Sequence, residues 1–240
     1  MMNEDPRMIN LSQTTDGRFA VSGAFSKLMR NVYLWMTLAL AITGLTAAYV
    51  SRDLQLLSMM NGGMMLGLVI AELVVVMVLS AAINRLSFPV AGLMFLAYSL
   101  LNGVTFSVIL LAYTASSIAT TFFVTAGTFG AMTLVGFFIK KDLSGMGRIL
   151  MMALIGIIIA TVVNMFVASS VLDWALTYLG VAVFVGLTAY DTQKIRNIML
   201  VHGHEVNDST MKLALMCSLT LYLDFINLFL YLLRIFGDRK

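Results

Sequence analysis

The sequence predicts an all-α integral membrane protein, a single bundle of seven transmembrane helices, and three observations predict it. Hydrophobic residues make up 60% of the 240 and charged residues only 11%, against roughly 25% charged residues in soluble domains, and the mean hydropathy is +0.94. So little polar surface does not clothe a soluble globule. The apolar residues collect into seven stretches, each long enough at about 1.5 Å per residue to cross a hydrocarbon core of about 30 Å. The basic residues fall at the ends of those stretches, with a strong bias to one side. One bundle uses up the chain and leaves no length for a second domain.

Residues 1–30, MMNEDPRMINLSQTTDGRFAVSGAFSKLMR, are expected to form a polar cytoplasmic tail; they lack the apolar core and small-residue cleavage site of a signal peptide. Residues 31–240 are expected to form the transmembrane domain. Its spans read as Val32–Val50, Asn61–Ile83, Val90–Leu111, Ile118–Ile139, Ile149–Ala168, Trp174–Ile195 and Leu213–Phe236. The breaks are SRD at Ser51, NRLSFP at Asn84, YTASS at Tyr113, KKDLSGMGR at Lys140, SSVLD at Ser169 and the polar run after Asp191. None is long enough to hold another domain.

Charge sets the orientation. With the N-terminus in the cytoplasm, the inner segments hold Arg7, Arg18, Lys27, Arg30, Arg85, Lys140, Lys141, Arg148, Lys194, Arg196 and Lys212, and the outer loops hold only Arg52. That asymmetry predicts an inside N-terminus. Arg234, Arg239 and Lys240 follow the last apolar run and lie outside if it crosses fully, whereas a re-entrant last segment would return them to the cytoplasm. The run is as long as the others and is unbroken by Gly or Pro until Gly237, which favours seven full crossings.

Composition excludes several function classes. Cys217 is the only cysteine, so there is neither an intrachain disulfide nor a thiolate metal cluster. The nineteen methionines are scattered rather than paired with histidines, as lipid-facing and packing residues are. No basic helix is interleaved with aromatics, so nucleic acid is not an expected partner. His202 and His204, near Glu205 and Asp208, have a spacing common by chance in polar loops, and no structural metal is expected there.

The informative residues are the polar ones inside the spans. Steps of three and four along the last helix put Cys217, Thr220, Asp224, Asn227, Tyr231 and Arg234 on one face, with Leu, Ile and Phe filling most of the rest. A carboxylate at the bilayer centre costs about 2.5–3.5 kcal/mol even on the lenient insertion scale, so this helix is expected to be surrounded by neighbours, its polar stripe facing a cavity or seam. Asp191 follows the apolar run that begins at Trp174, and Ala182, Gly186 and Ala189 give that helix small residues for a close approach. With an inside N-terminus, the sixth helix descends and the seventh rises, which places Asp191 and Asp224 to meet between mid-membrane and the cytoplasmic end. The competing reading of Asp191 is a helix end snorkelling beside Lys194 and Arg196. Two carboxyls in one low-dielectric site share a proton, so such a pair senses pH.

Glu72 in the second stretch is a third intramembrane acid. Three charged, unpaired carboxylates would cost on the order of 10 kcal/mol, comparable with a whole domain's stability, so partners are expected. Arg85 is the candidate counter-ion of the aspartate pair, with an ordinary positive-inside anchor as its other reading, and Arg234 is the candidate partner of Glu72. Ser99, Asn102, Thr105, Thr161 and Asn164 are expected to add neutral oxygens to the interior, chiefly as interhelical hydrogen-bond glue. An intramembrane aspartyl protease is the enzymatic reading of such a pair. Those enzymes carry Gly-x-Gly before the second aspartate and a Pro-Ala-Leu segment beyond it. Here Leu221, Tyr222 and Leu223 precede Asp224, and the only prolines are Pro6 and Pro89, so no enzyme is expected.

The segments AYDTQKI from Ala189 and LYLDFINLFLYLLRIFG from Leu221 resemble the transmembrane Bax inhibitor motif family, also called the Bax inhibitor-1 family, over about residues 25–237. The resemblance implies a seven-helix fold with the last helix at the centre of the other six, and the pH-sensitive calcium leak of the family's bacterial members. It makes Asp191 and Asp224 the aspartyl dyad, and Glu72 and Arg234 further intramembrane charges. The arginine that latches the dyad lies on the second helix in the family; Arg85, the one candidate here, stands farther from Glu72 than the family spacing and nearer the interface. Thr220, Asn227, Tyr231 and Asn102 are candidates for lining an ion pathway. The expected cargo is calcium, held transiently at Asp191 and Asp224, with no cofactor, in a bacterial inner membrane. The alternative function is a regulatory partner of other membrane proteins, such as cell-death or protease complexes, with the N-terminal tail as the docking segment.

Overall fold

A computed structural model describes residues 6–53, 55–56, 62–203 and 205–240, with side chains from residue 23 onward. Its helices are α1 (Pro6–Val50), α2 (Gly62–Ala82), α3 (Phe88–Ala112), α4 (Ala115–Phe138), α5 (Ser144–Val167), α6 (Ser170–His202) and α7 (Asp208–Phe236). All seven are long and apolar enough to span a membrane, α1 through its part Gly23–Val50. Two elements exceed their expected lengths the most. The first helix runs back without a break to Pro6, through the segment read as a polar tail. The sixth continues past Ile195 to His202, because its polar end is still helix and is tied down from the side. Gln193 there accepts from the Leu143 amide at 2.8 Å and donates to the Lys141 carbonyl at 2.9 Å, fixing α6 to the α4–α5 turn.

Local chemistry sets the helix ends. Pro89 stands in the first turn of α3, where its missing N–H costs nothing. Thr114 and Ser169 cap α4 and α6, and Asn207 with Thr210 forms a reciprocal capping box at the start of α7. The α5–α6 turn is tight enough to force Ala168 into the left-handed region at φ 51. Asn164 holds that turn, its side chain accepting from the Ser169 amide and donating to the Ser169 carbonyl. This corrects its expected role as an interior oxygen. Thr161 is likewise exposed on the helix surface and does not belong to the interior.

Helix α7 is the core of the bundle. Of its apolar window 67% is buried, against at most 39% for any other span. It packs chiefly on α1, α3, α4 and α6. Helices α2 and α5 form an outer layer, packed mainly on α3 and α6, and each has only 6% of its window buried. The last helix is therefore central, but the six others do not ring it equally. The outer faces carry Leu66, Leu73 and Met77 on α2 and Ile155 and Ile159 on α5, all exposed as lipid-facing residues are.

Where hydrophobic force between helices is absent, close packing supplies the cohesion. The tightest approach is α4 on α6: a Cβ at Gly136 would land on the Ala189 main-chain carbonyl. Gly186 instead admits Leu150 of α5, while Ala182 is exposed, so the small residues of α6 serve two different neighbours rather than one seam.

The two ends are sewn separately. At one end the Thr114 amide donates to the Asp238 carbonyl at 2.9 Å and the Lys240 amide to the Ala112 carbonyl at 3.0 Å, around an antiparallel bridge between Tyr113 and Arg239. At the other, Lys212 Nζ donates to the Leu86 carbonyl at 3.0 Å and the Phe88 amide to Asp208 Oδ1 at 3.3 Å. Helix α7 thus crosses the whole bundle, as a full crossing and not a re-entrant segment does; on the cytoplasmic N-terminus expected from the basic residues, the end that holds the C-terminal residues is called the outer end.

Candidate functional site

Asp191 lies well inside α6 and Asp224 near the middle of α7; they are 9% and 5% exposed. Asp191 is therefore no snorkelling helix end. The two carboxyl groups lie close enough to act on one another. Two ionised carboxylates offer only acceptors, so a hydrogen bond between them would require a proton on one of them. Asp224 Oδ2 is buried and has no hydrogen-bond partner among the described residues. Around the pair, neutral side chains are turned back on their own helices: Thr188, Thr192, Ser218 and Thr220 donate to carbonyls one turn earlier, as does Asn227 Nδ2 to the Leu223 carbonyl. The pair is left to satisfy itself.

The cation that reaches the pair electrostatically is Lys194, one turn beyond Asp191. Its ammonium is exposed and stands 5.9 Å from the centre of the Tyr190 ring. Arg85 lies exposed in the turn after α2 and, among the described residues, pairs with no carboxylate. Its anchor reading fits that placement, and its expected contact with the dyad is not formed.

Glu72 belongs to a second cluster. It accepts a hydrogen bond from Thr105 Oγ1 at 2.5 Å and is close enough to act on Tyr98 and Tyr222. Tyr222, fully buried on α7, shares a 2.8 Å hydrogen bond with Thr43 of α1, whose hydroxyl also reaches the Ser99 carbonyl. Asn102 donates to the Tyr98 carbonyl and sits in this cluster, away from the dyad. The Glu72–Arg234 pairing is not formed either. Arg234 pairs with Asp173 at 3.5 Å, on the exposed rim where α6 begins.

The α6–α7 interface reads as a column. At the outer end, Asp173, Arg234, Trp174 and Tyr113 line an open cavity of about 840 Å³. Below it the Tyr231 ring fills the space left by Gly180 and stacks on Phe184, with ring centres 5.7 Å apart. Two helical turns further in, about 10 Å at 1.5 Å per residue, lies the aspartate pair. Sequence reasoning missed Lys194, Thr43 and Tyr222 as participants. For Tyr222 the signal was present, since a tyrosine inside an apolar run needs a partner for its hydroxyl. For the others, only the fold brings the groups together. His202 turns its ring toward its own helix at the Ile198 carbonyl, no cluster of three metal-ligating side chains occurs among the described residues, and His204 lies outside them.

A seven-span helical bundle with an acid pair buried against its central helix is a multi-pass membrane protein organised around an interior polar site. The chain belongs to the Bax inhibitor family: the family described as "Inhibitor of apoptosis-promoting Bax1" matches residues 25–240. It is 50% identical over 214 residues to "Inner membrane protein YbhL" of Escherichia coli (strain K12), covering 88% of this chain and 92% of that protein. It is also 45% identical over 213 residues to an uncharacterized protein of Deinococcus radiodurans, covering 88% and 90% of the two chains. With "Uncharacterized protein RP147" of Rickettsia prowazekii it shares 39% identity over 228 residues, 95% and 96% of the chains. It is a multi-pass protein of the bacterial inner membrane.

Proposed function

We propose that the protein is a pH-sensitive calcium leak channel whose gate is the Asp191–Asp224 pair. The observation that carries this reading is the direct meeting of two buried carboxyls between α6 and the central α7, at the inner end of the column that begins in the outer cavity. With one proton shared, the pair holds α6 to α7 and the aromatic stack above it stays shut. Removing that proton sets two like charges side by side in a medium that screens them poorly, which drives the helices apart. Adding a second proton cancels the negative charge that draws a cation inward. Calcium suits the site because it is a hard cation that takes oxygen ligands, and the freed Asp191 and Asp224 oxygens are the ones on offer. Glu72 with Thr105, and the Arg234–Asp173 pair at the rim, are further charges acting on the passing ion. The reading assigns transport and no hydrolysis, since the protease signatures are missing around Asp224.

Calcium flux measured in defined vesicles between about pH 5 and 8, a range that spans the protonation changes of perturbed carboxyls, tests it. Wild-type protein should carry calcium with a marked pH dependence, and Asp191→Asn and Asp224→Asn should each flatten it. Wild-type profiles in both variants would overturn the sensor role. Absence of flux from reconstituted wild-type protein, together with capture of a membrane-protein partner through the N-terminal tail, would assign the regulatory function instead.

A further inference from the structure

A second concavity, of about 540 Å³, opens on the flank of the bundle near its outer end, within the ~300–1,000 Å³ range of small-molecule sites. Its walls are apolar: Gly44 and Ala48 of α1, Phe106 of α3, Ala119 and Phe122 of α4, and Phe229 of α7. The two hydroxyls on the wall are already committed. Thr43 is bonded to Tyr222 and the Ser99 carbonyl, and Ser51 donates to the Ala48 carbonyl. A sugar or nucleotide would find no polar handle inside.

The lining also includes two exposed cations, Arg52 and Lys240. They are also two of the four basic residues on the outer side, where positive charge is disfavoured. The other two are engaged: Arg234 with Asp173, and Arg239 over the Tyr113 ring. Arg52 has no carboxylate partner among the described residues, and its neighbour Asp53 accepts from the Gln55 and Leu56 amides instead. Lys240 Nζ rests on a neutral acceptor, the Leu110 carbonyl, and forms no ion pair among the described residues. An apolar slot with two unpaired cations at the membrane–water boundary complements an amphiphile with a negative head. We propose that this groove binds an anionic phospholipid of the outer leaflet, its acyl chain between α1 and α4 and its phosphate between Arg52 and Lys240.

Native mass spectrometry of the full-length protein, offered equal amounts of phosphatidylglycerol and phosphatidylcholine with identical acyl chains, tests the assignment. The wild type should retain phosphatidylglycerol in preference. Arg52→Gln and Lys240→Gln should lower that preference by about fivefold each, the worth of one basic charge at an anionic surface. Gly44→Leu places a side chain where a Cβ meets nothing within 4 Å, so it should fill the slot and reduce retention of both lipids. Equal retention of the two lipids by the wild type, or an unchanged preference in the two exposed-cation variants, overturns the proposal whether or not Gly44→Leu folds. A dimer that Gly44→Leu dissociates would assign the groove to a second copy of the chain and overturn it as well.

Discussion

Asp224 is costly to keep, since among the described residues one of its oxygens is buried without a partner and the group beside it is another carboxyl. An amide in its place keeps the shape, donates to Asp191 and needs no shared proton. Asp224→Asn should therefore melt in detergent at or above the wild-type temperature while losing the pH response of flux, separating a functional role from a structural one. Asp142 shows the opposite economy at an exposed position. Its carboxylate accepts from both the amide and the hydroxyl of Ser144, which hold it below the usual carboxylate range. That bond is fully present above the ordinary aspartate range and is lost as pH falls through the lowered value. Asp142→Ala should speed amide exchange at Ser144 at neutral pH, whereas the wild type should show the same loosening only in strong acid. The aspartates of the dyad were legible in the sequence because a charge in an apolar run demands an explanation. Their cation was not, because Lys194 reads as one more interfacial lysine until the turn of α6 carries it back toward Asp191.

At the scale of elements, the α4–α6 contact sets the position of the dyad, since Ala189 is two residues from Asp191. Gly136→Val would have to displace main chain rather than a flexible side chain, and overpacking of that kind costs about 1–3 kcal/mol. A lower melting temperature, together with altered calcium flux, is the expected result. The aromatic stack makes a separate prediction: Tyr231→Ala opens the space beside Gly180 between the outer cavity and the acid pair, and should raise basal flux in vesicles without shifting its pH midpoint. The rim pair of Asp173 and Arg234 is about half exposed on both sides, so it is worth only ~0–1 kcal/mol. Hydropathy located every span, because the length of an apolar run is a direct physical requirement of the bilayer. It missed the far end of α6, because a helix leaving the membrane needs no apolar residues and Gln193 anchors it by hydrogen bonds that no linear pattern displays.

For the molecule as a whole, the polar stripe of α7 announced an enclosed helix, and the basic residues predict which side faces the cytoplasm. The division into an inner group and the outlying α2 and α5 was not legible, because a lipid-facing span and a buried one are equally apolar. The Arg234–Glu72 expectation failed for the same reason: similar depth along two helices does not decide which helix stands beside which. The topology is open to direct test. A cysteine introduced by Arg239→Cys should react with a membrane-impermeant thiol reagent added outside intact cells, one introduced by Lys140→Cys should not, and buried Cys217 should stay silent in both.

The most enclosed helix follows the other six along the chain. As the six spans before it are made, Thr43 lacks its bond to Tyr222 and Asp191 lacks its acid neighbour, and these groups wait in the bilayer until α7 is delivered. Assembly is thus a closing event triggered by the arrival of α7, and a chain interrupted before it presents an insertase or a quality-control protease with a hollow half-product rather than a smaller version of the finished fold.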